Sequence, residues 1–141
     1  MSTEHRWVMS GARVLGTAKV TIATATTTSF DFGTPDDISL KSNATYKHGD
    51  RILAIMTAST AGTTDNLTFV VQDADDNAGS IGTPATAVTS GTLALTTGDG
   101  FTQVSVKVQN GRPWLRFRVT SNGANDTFVC HCTVLAIPSN L

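Results

Sequence analysis

The sequence predicts an all-β protein, an antiparallel β-sandwich of jelly-roll type with about seven or eight strands. Threonine supplies 24 of the 141 residues and glutamate occurs only at Glu4, a composition that favours strands over helices. Apolar and polar residues alternate with period two along most of the chain. Gly, Asn, Asp and Pro interrupt this alternation at short intervals, which is typical of antiparallel sandwiches and barrels.

The first half of the chain contains three clear signals. Residues 18–28 alternate, with Val20 and Ile22 on one face, and predict the first strand. Residues 33–37 carry Gly, Pro and two Asp and predict a turn between two short extended segments. Residues 51–58 form an almost continuous apolar run, which predicts a central strand covered on both sides.

The second half predicts five more strands separated by turn signals. Asn110-Gly111 indicates a tight turn, because this pair accepts positive φ at low cost, and Pro138 ends the last strand. The predicted strands cover residues 67–73, 85–89, 101–108, 114–120 and 127–137.

We divide the chain into an extended N-terminal arm, residues 1–15, and a jelly-roll domain, residues 16–141. The arm lacks alternation but carries Trp7 and Val8, which we predict to anchor it on a partner. It has no apolar run of the kind a signal peptide requires, so secretion is not expected.

The charge balance excludes some partners. The chain has 10 Lys+Arg against 11 Asp+Glu and a net charge of -1, so it offers no broad basic field for nucleic acid or an anionic membrane surface. No run of about 18 apolar residues occurs that would span a membrane as a helix. We therefore expect neither nucleic acid nor membrane as a partner.

Two cysteines flank a histidine in the last predicted strand. Cys130 and Cys132 share one face of the strand and His131 points to the other, so the three do not converge on a metal. A disulfide between residues two apart would strain an extended strand. We predict reduced thiols packed as small hydrophobic groups, and no metal or other cofactor.

Residues 73–77, Asp-Ala-Asp-Asp-Asn, place carboxyl and amide oxygens at alternating positions, as calcium loops do. The rest of that motif fails, because Ala78 stands at the glycine position and Pro84 at the position of the bidentate glutamate. A solvated acidic turn is favoured, and a bound ion stays open as the alternative.

Catalytic signatures are poor. The three histidines, His5, His48 and His131, fall in the arm, a turn and a strand, and no nucleophile elbow, phosphate-binding loop or zinc-protease motif occurs. We predict a protein that is not an enzyme and has no catalytic residues.

The strand at residues 114–120 carries the predicted contact surface. Trp114, Arg116 and Arg118 share its outward face, and Leu115 and Phe117 point inward. Trp and Arg are favoured anchors of protein interfaces. A stacking surface for single-stranded nucleic acid or glycan is the alternative, and the low positive charge favours the protein interface.

The order of several segments resembles that of the jelly-roll capsid cement, or decoration, proteins of short-tailed bacteriophages. The similarity covers residues 18–137, and no single element of it is diagnostic. The segments that carry it are Phe30-Asp-Phe-Gly33, Arg51-Ile-Leu-Ala-Ile-Met56, Leu67-Thr-Phe-Val-Val-Gln-Asp-Ala-Asp-Asp-Asn77, Arg112-Pro-Trp-Leu-Arg-Phe-Arg-Val119 and the apolar strand at residues 129–137.

This resemblance implies a non-enzymatic protein on the outside of an HK97-type capsid that clamps neighbouring capsomers together. The implied partners are the major capsid protein and a second copy of the chain, with a dimer favoured over a trimer, and assembly would take place in the host cytoplasm. The arm is longer than the usual start of that family and could wrap a neighbour. A glycan-binding jelly roll of the virion surface or tail, and a head-completion protein, are the alternatives.

Overall fold

The computed structural model describes residues 13–23, 26–32, 37–40, 51–60, 65–89, 93–95, 100–109, 111–121 and 127–137. These ranges contain twelve β-strands and no helix, so none of them holds a helix that could cross a membrane. The strands are β1 Arg13–Ala23, β2 Thr27–Ser29, β3 Ile38–Ser39, β4 Arg51–Thr60, β5 Asp65–Ala74, β6 Asp76–Asn77, β7 Ser80–Ile81, β8 Ala85–Thr89, β9 Leu93–Leu95, β10 Gly100–Lys107, β11 Trp114–Ser121 and β12 Thr127–Ile137.

Two antiparallel sheets form a sandwich. The four-stranded sheet has the order β1-β12-β4-β10, and the six-stranded sheet has the order β2-β11-β5-β8, with β3 on β11 and β9 on β5. Strands β2 and β3 act as one interrupted strand, as do β8 and β9, so each sheet has four strands and the described residues give eight in all. Strands β6 and β7 pair only with each other, as a separate hairpin. The chain crosses between the sheets at almost every step, and the first described strand, β1, pairs with the last, β12. This is the eight-stranded jelly roll, and the predicted fold class is confirmed.

The first strand differs from its prediction. It begins at Arg13 and ends at Ala23, and residues 27–29 belong to the opposite sheet. The register of β1 against β12 shifts between Val14 and Gly16, which marks a β-bulge. The bulge interrupts the period-two pattern, so the alternation did not indicate that the strand begins before residue 18. Residues 13–15 of the expected arm are therefore strand, and residues 1–12, with Trp7 and Val8, lie outside the described residues.

The core lies between the two sheets and is rich in phenylalanine. The ring of Phe69 lies 5.8 Å from that of Phe30 in an edge-to-face contact and 6.4 Å from that of Phe117 in a stacked one. All three rings are buried, and each such pair adds about 0.5–1.5 kcal/mol beyond the burial of its area. These contacts join the segment after β2 to β5 and β11.

Strand β4 is central, as predicted, since it pairs with β12 on one side and β10 on the other. The expectation that it is covered on both faces is wrong. Ile52 and Met56 are fully buried, while Leu53 and Ile55 on the opposite face are only partly buried. The continuous apolar run therefore reflects an apolar outer surface.

The last strand matches its prediction. Cys130 and Cys132 are free, buried thiols that face the core, and His131 is exposed on the opposite face. Burial raises the pKa of Cys130 to about 11 and that of Cys132 to about 12, because it disfavours the charged thiolate. Both therefore pack as small hydrophobic groups near neutral pH.

Candidate interaction surfaces

The predicted contact residues on β11 lie on the outer side of the six-stranded sheet, opposite the buried Leu115 and Phe117. The expectation that Trp114 stands exposed there is wrong, because its side chain is buried. Its indole Nε1 donates a 2.9 Å hydrogen bond to Oδ1 of Asp76, in the β6–β7 hairpin. Trp114 is thus held by the chain itself.

Arg116 is also held internally. Its Nε donates to Oδ1 of Asp37 at 2.8 Å and its Nη2 donates to Oδ2 at 3.1 Å. The guanidinium fork matches the carboxylate in this geometry, which makes the pair stronger than a single contact. The Asp37 side chain is only 4% exposed, whereas that of Arg116 is 30% exposed, so the carboxylate is the buried member of the pair. Its role is to hold residue 37 and β3 against β11.

Another arginine, Arg112, binds Asp73 near the end of β5. Its Nε donates to Oδ1 of Asp73 at 2.6 Å and its Nη2 donates to the Asp73 carbonyl oxygen at 2.7 Å. Residues 112, 114 and 116 thus each donate a hydrogen bond to an aspartate from another part of the chain. The sequence showed the alternation but not the acidic partners, which come from distant segments.

Residues 73–77 form the end of β5 and the start of a hairpin instead of a solvated loop. The Asp73 carboxylate accepts from Arg112, and the Asp76 carboxylate accepts from Trp114 and from the Gly79 amide at 3.3 Å. The prediction of a solvated turn is wrong for Asp73, which is buried. In the described part of the chain, no three His, Cys, Asp or Glu side chains are grouped to hold a metal.

Arg118 differs from the other arginines of β11. It is half-buried, and its Nε is a buried donor with no hydrogen-bond partner. On the neighbouring β5, Oε1 of Gln72 is a buried acceptor that also has no hydrogen-bond partner. The role of Arg118 in binding stays a prediction.

The outer side of the four-stranded sheet is a different surface. We call the side chains of β1, β12, β4 and β10 that point away from the core the four-stranded face. Val14 and Phe101 lie on it and are the two large hydrophobic side chains that are most exposed among the described residues, at 61% and 59%. The register places Leu135 and Leu53, both half-buried, beside Val14 in one cross-strand row. An apolar strip therefore runs across β1, β12 and β4 and ends at Ser105 on β10.

A second row crosses the same face two steps further along the strands. It contains Lys19, His131, Thr57 and Phe101, in that order from β1 to β10. Two shallow, open concavities of about 420 and 400 Å³ meet at His131. The first is lined by Thr57, Ala58, Ser59, Gly100, Phe101, Val129 and His131, and the second by Thr17, Ala18, Lys19, His131, Cys132 and Thr133.

The two sheets also differ in charge. The four strands of the four-stranded sheet contain Arg13, Lys19, Arg51 and Lys107 but no aspartate or glutamate. Every acidic residue in the described ranges lies in the six-stranded sheet, the hairpin or their connections: Asp31, Asp37, Asp65, Asp73, Asp75 and Asp76. Among the described residues, the strands of the four-stranded sheet therefore carry only positive charges, and the aspartates lie elsewhere.

Sequence reasoning missed this face, although one signal was present. Phe101 shares the parity of Gln103 and Lys107, which were predicted to point outward, while Val104 and Val106 point inward. The period-two pattern alone therefore predicts that the ring of Phe101 points to solvent.

No protein-family model and no curated protein sequence matches this chain. Among solved structures, it is similar to a Clostridium thermocellum N-terminal endo-1,4-β-D-xylanase 10B, in its CBM22-1-GH10 modules complexed with xylohexaose, with 12% identity and a TM-score of 0.46. That match covers 93% of this chain and 28% of the xylanase chain. A chain of the cyanophage Pam1 capsid asymmetric unit matches with 17% identity and a TM-score of 0.35, over 90% of this chain and 85% of that one. Both similarities are weak.

Proposed function

We propose that the chain is a capsid cement, or decoration, protein that adheres to the outside of an HK97-type phage shell and stabilises it by bridging capsomers, with no reaction to catalyse. The observation that carries the proposal is the four-stranded face, where Val14 is more than half exposed beside the half-buried Leu135, and Phe101 is more than half exposed on the opposite edge strand. Large apolar side chains exposed on one face of a domain mark a surface that a partner covers.

The sequence supplies the class of partner. The order of segments over residues 18–137 resembles the cement proteins of short-tailed phages, and the jelly-roll fold agrees with that resemblance. The major capsid protein is therefore the proposed partner, and the virion exterior is the proposed location.

The mechanism is adhesion through many weak contacts. Burial of apolar surface contributes about 25 cal/mol per Å², and a chain that engages two capsid subunits at once gains effective concentration at the second site. A homodimer, favoured over a trimer, would double the number of contacts. Trp7, Val8 and Arg118 remain proposed contact residues, whereas Trp114 and Arg116 act indirectly by holding the six-stranded sheet together.

Heating of shells tests this function. Shells of the phage that encodes the chain are saturated with it, and the temperature of DNA release or shell rupture is compared with that of bare shells. A higher rupture temperature, with a copy number in fixed proportion to the major capsid protein, is expected. An unchanged rupture temperature would count against the cement role, and only a few copies per particle would indicate a head-completion protein.

A glycan-binding role is the second candidate, and one observation favours it. The exposed ring of Phe101 borders a concavity that also offers the hydroxyls of Thr57 and Ser59 and the imidazole of His131. Aromatic faces with nearby hydroxyls can hold sugar rings. A glycan array probed with the purified chain separates the candidates, because a strong signal lost in Phe101→Ser would favour the glycan role.

A further inference from the structure

We infer that the four-stranded face docks onto an acidic protein surface with an apolar centre, with Phe101 as the apolar anchor and Lys19, Arg51 and Lys107 as the charged contacts. This deepens the proposed function and rests on it, since it states the chemistry of the shell surface that the chain would bind. The apolar side chains of the face, the placement of its cations and its size support this inference.

Apolar side chains occupy the middle of the four-stranded face. Leu135 and Leu53 are neighbours on adjacent strands, and Ile55 stands one row further along β4. All three are half-buried although they point away from the core. Phe101 extends the apolar surface on β10 and is 59% exposed. A partner with apolar side chains at its centre would cover these groups.

The cations lie at the two ends of this apolar centre. Arg51 and Lys107 are paired in the register at one end, and Lys19 shares the row of His131 and Phe101 at the other. Arg51 Nη1 makes a 3.4 Å contact with Ser105 Oγ. No ion pair between described residues involves any of the three cations, because the pairs that form are those of Arg112 and Arg116 on the six-stranded sheet.

The sign of the charge argues against a second copy as the occupant. If two copies met through this face, Lys19, Arg51 and Lys107 of one would approach the same cations of the other, and none of the four strands offers a carboxylate to pair with them. Like charges brought together in an interface cost binding energy and disfavour that pairing. The described strands therefore favour an acidic surface on another protein as the complementary one.

The size of the face predicts weak binding per copy. Rows two residues apart lie about 7 Å apart and neighbouring strands about 4.8 Å apart, so the face measures on the order of 400 Å². A stable interface buries about 800 Å² on each partner. One face alone therefore supports a weak contact, and firm attachment needs several copies or several sites, as a cement protein has on a lattice.

Charge variants test the inference. Lys19→Gln with Lys107→Gln removes two positive charges from the face, and Thr86→Glu with Thr89→Glu, on the exposed edge strand β8, changes the net charge by the same amount on the other sheet. We expect the first variant to bind shells about tenfold more weakly at low salt and to lose most of its salt dependence. The second variant should bind as the natural chain does. Equal binding by all three would overturn the inference and leave the cement role standing.

Phe101→Ser tests the anchor, with Thr86→Ala, at an exposed position on β8 of the other sheet, as its control. About tenfold weaker binding in Phe101→Ser and unchanged binding in Thr86→Ala are expected. If shells are not bound at all, the cement role fails, and the inference is then tested with an acidic copolymer of glutamate and tyrosine. Binding of that copolymer that depends on Phe101 and weakens with salt supports the inference, and tighter binding of double-stranded DNA overturns it.

Hydroxyl-radical labelling of the isolated chain tests whether the face is already occupied. Strong labelling of Phe101 and His131 that does not change with protein concentration is expected. Protection that grows with concentration would mean that a second copy covers the face. Protection at every concentration would mean that other residues of the same chain cover it, and either result would overturn the inference.

Discussion

Arg116 and Asp37, 79 residues apart in the sequence, meet as a two-point ion pair with N–O distances of 2.8 and 3.1 Å. Asp37 directly precedes β3, in which Ile38 pairs with Leu115 of β11. The pair therefore fixes where the chain joins the six-stranded sheet after the connection from β2. It also gives an arginine on the outer face of this sheet a partner within the chain.

Removal of this pair should destabilise the fold. Arg116→Met keeps most of the side-chain stem but leaves the buried Asp37 carboxylate uncompensated, which costs about 3 kcal/mol. Urea unfolding followed by circular dichroism measures the loss. The matched control is Arg118→Met on the same strand, which removes a buried donor that has no partner, so its stability should stay equal or rise slightly. Equal losses in both variants would contradict the structural role of the pair.

The indole hydrogen bond of Trp114 gives a second prediction. Trp114→Phe keeps a buried ring but leaves Asp76 without its 2.9 Å donor, at a cost of about 1–3 kcal/mol. Asp76→Asn keeps an oxygen acceptor and should cost less. Unfolding by urea ranks the two variants. If the loss in Trp114→Phe is no greater than in Asp76→Asn, the hydrogen bond is not what holds the hairpin.

Two substitutions in the loop of the β6–β7 hairpin should change the stability of the chain in opposite directions. Ala78 and Gly79 form its two-residue loop and have φ values of 50° and 89°, and positive φ at both positions is what a type I′ turn requires. Ala78→Asn should stabilise the chain by about 0.5–1 kcal/mol, because asparagine tolerates this conformation better than alanine. Gly79→Ala should destabilise it by about 1 kcal/mol, although no atom lies close enough to clash with the added methyl group. Melting temperatures that move in the same direction for both would contradict this account of the turn.

The buried thiols predict a loss of stability in alkali. In the unfolded chain they ionise near pH 8.5, whereas burial in the fold raises the pKa of Cys130 to about 11 and that of Cys132 to about 12. Between these values the unfolded state binds fewer protons than the folded state, so the free energy of unfolding falls as pH rises from about 9, by up to roughly 1.4 kcal/mol per pH unit for each thiol. Urea titrations from pH 7 to 11 measure the slope. The variant Cys130→Ala with Cys132→Ala should show a shallower decline, and an unchanged slope would mean that the thiols do not cause it.

The parts of the fold that the sequence predicted well are those in which burial alternates without interruption. The predicted strand at residues 127–137 matches β12, that at 101–108 is displaced by one residue from β10, and that at 114–120 is one residue shorter than β11. In each of them buried side chains recur at every second position over at least half of the strand, and one face of the strand lies in the core. Period two is reliable in such strands, because a shift by one residue would expose the whole apolar set.

The remaining features depend on contacts between distant segments. The bulge of β1 lies between Val14 and Gly16, where a Cβ on Gly16 would come within 2.8 Å of the Phe32 ring, and no local pattern shows such an approach. Trp114 occupies an outward position in the alternation, but its side chain is buried and its indole binds Asp76. Sequence periodicity states which side a residue points to, whereas tertiary partners decide whether that side is open.

Cryo-electron microscopy of shells saturated with the chain would show which side of the sandwich meets the lattice. We predict density for the jelly roll on the outer surface of the shell, with the four-stranded sheet turned inward and Phe101 covered by acidic and apolar side chains of the capsid protein. A bound jelly roll whose four-stranded sheet faces solvent, or shells that carry no added density, would contradict this prediction.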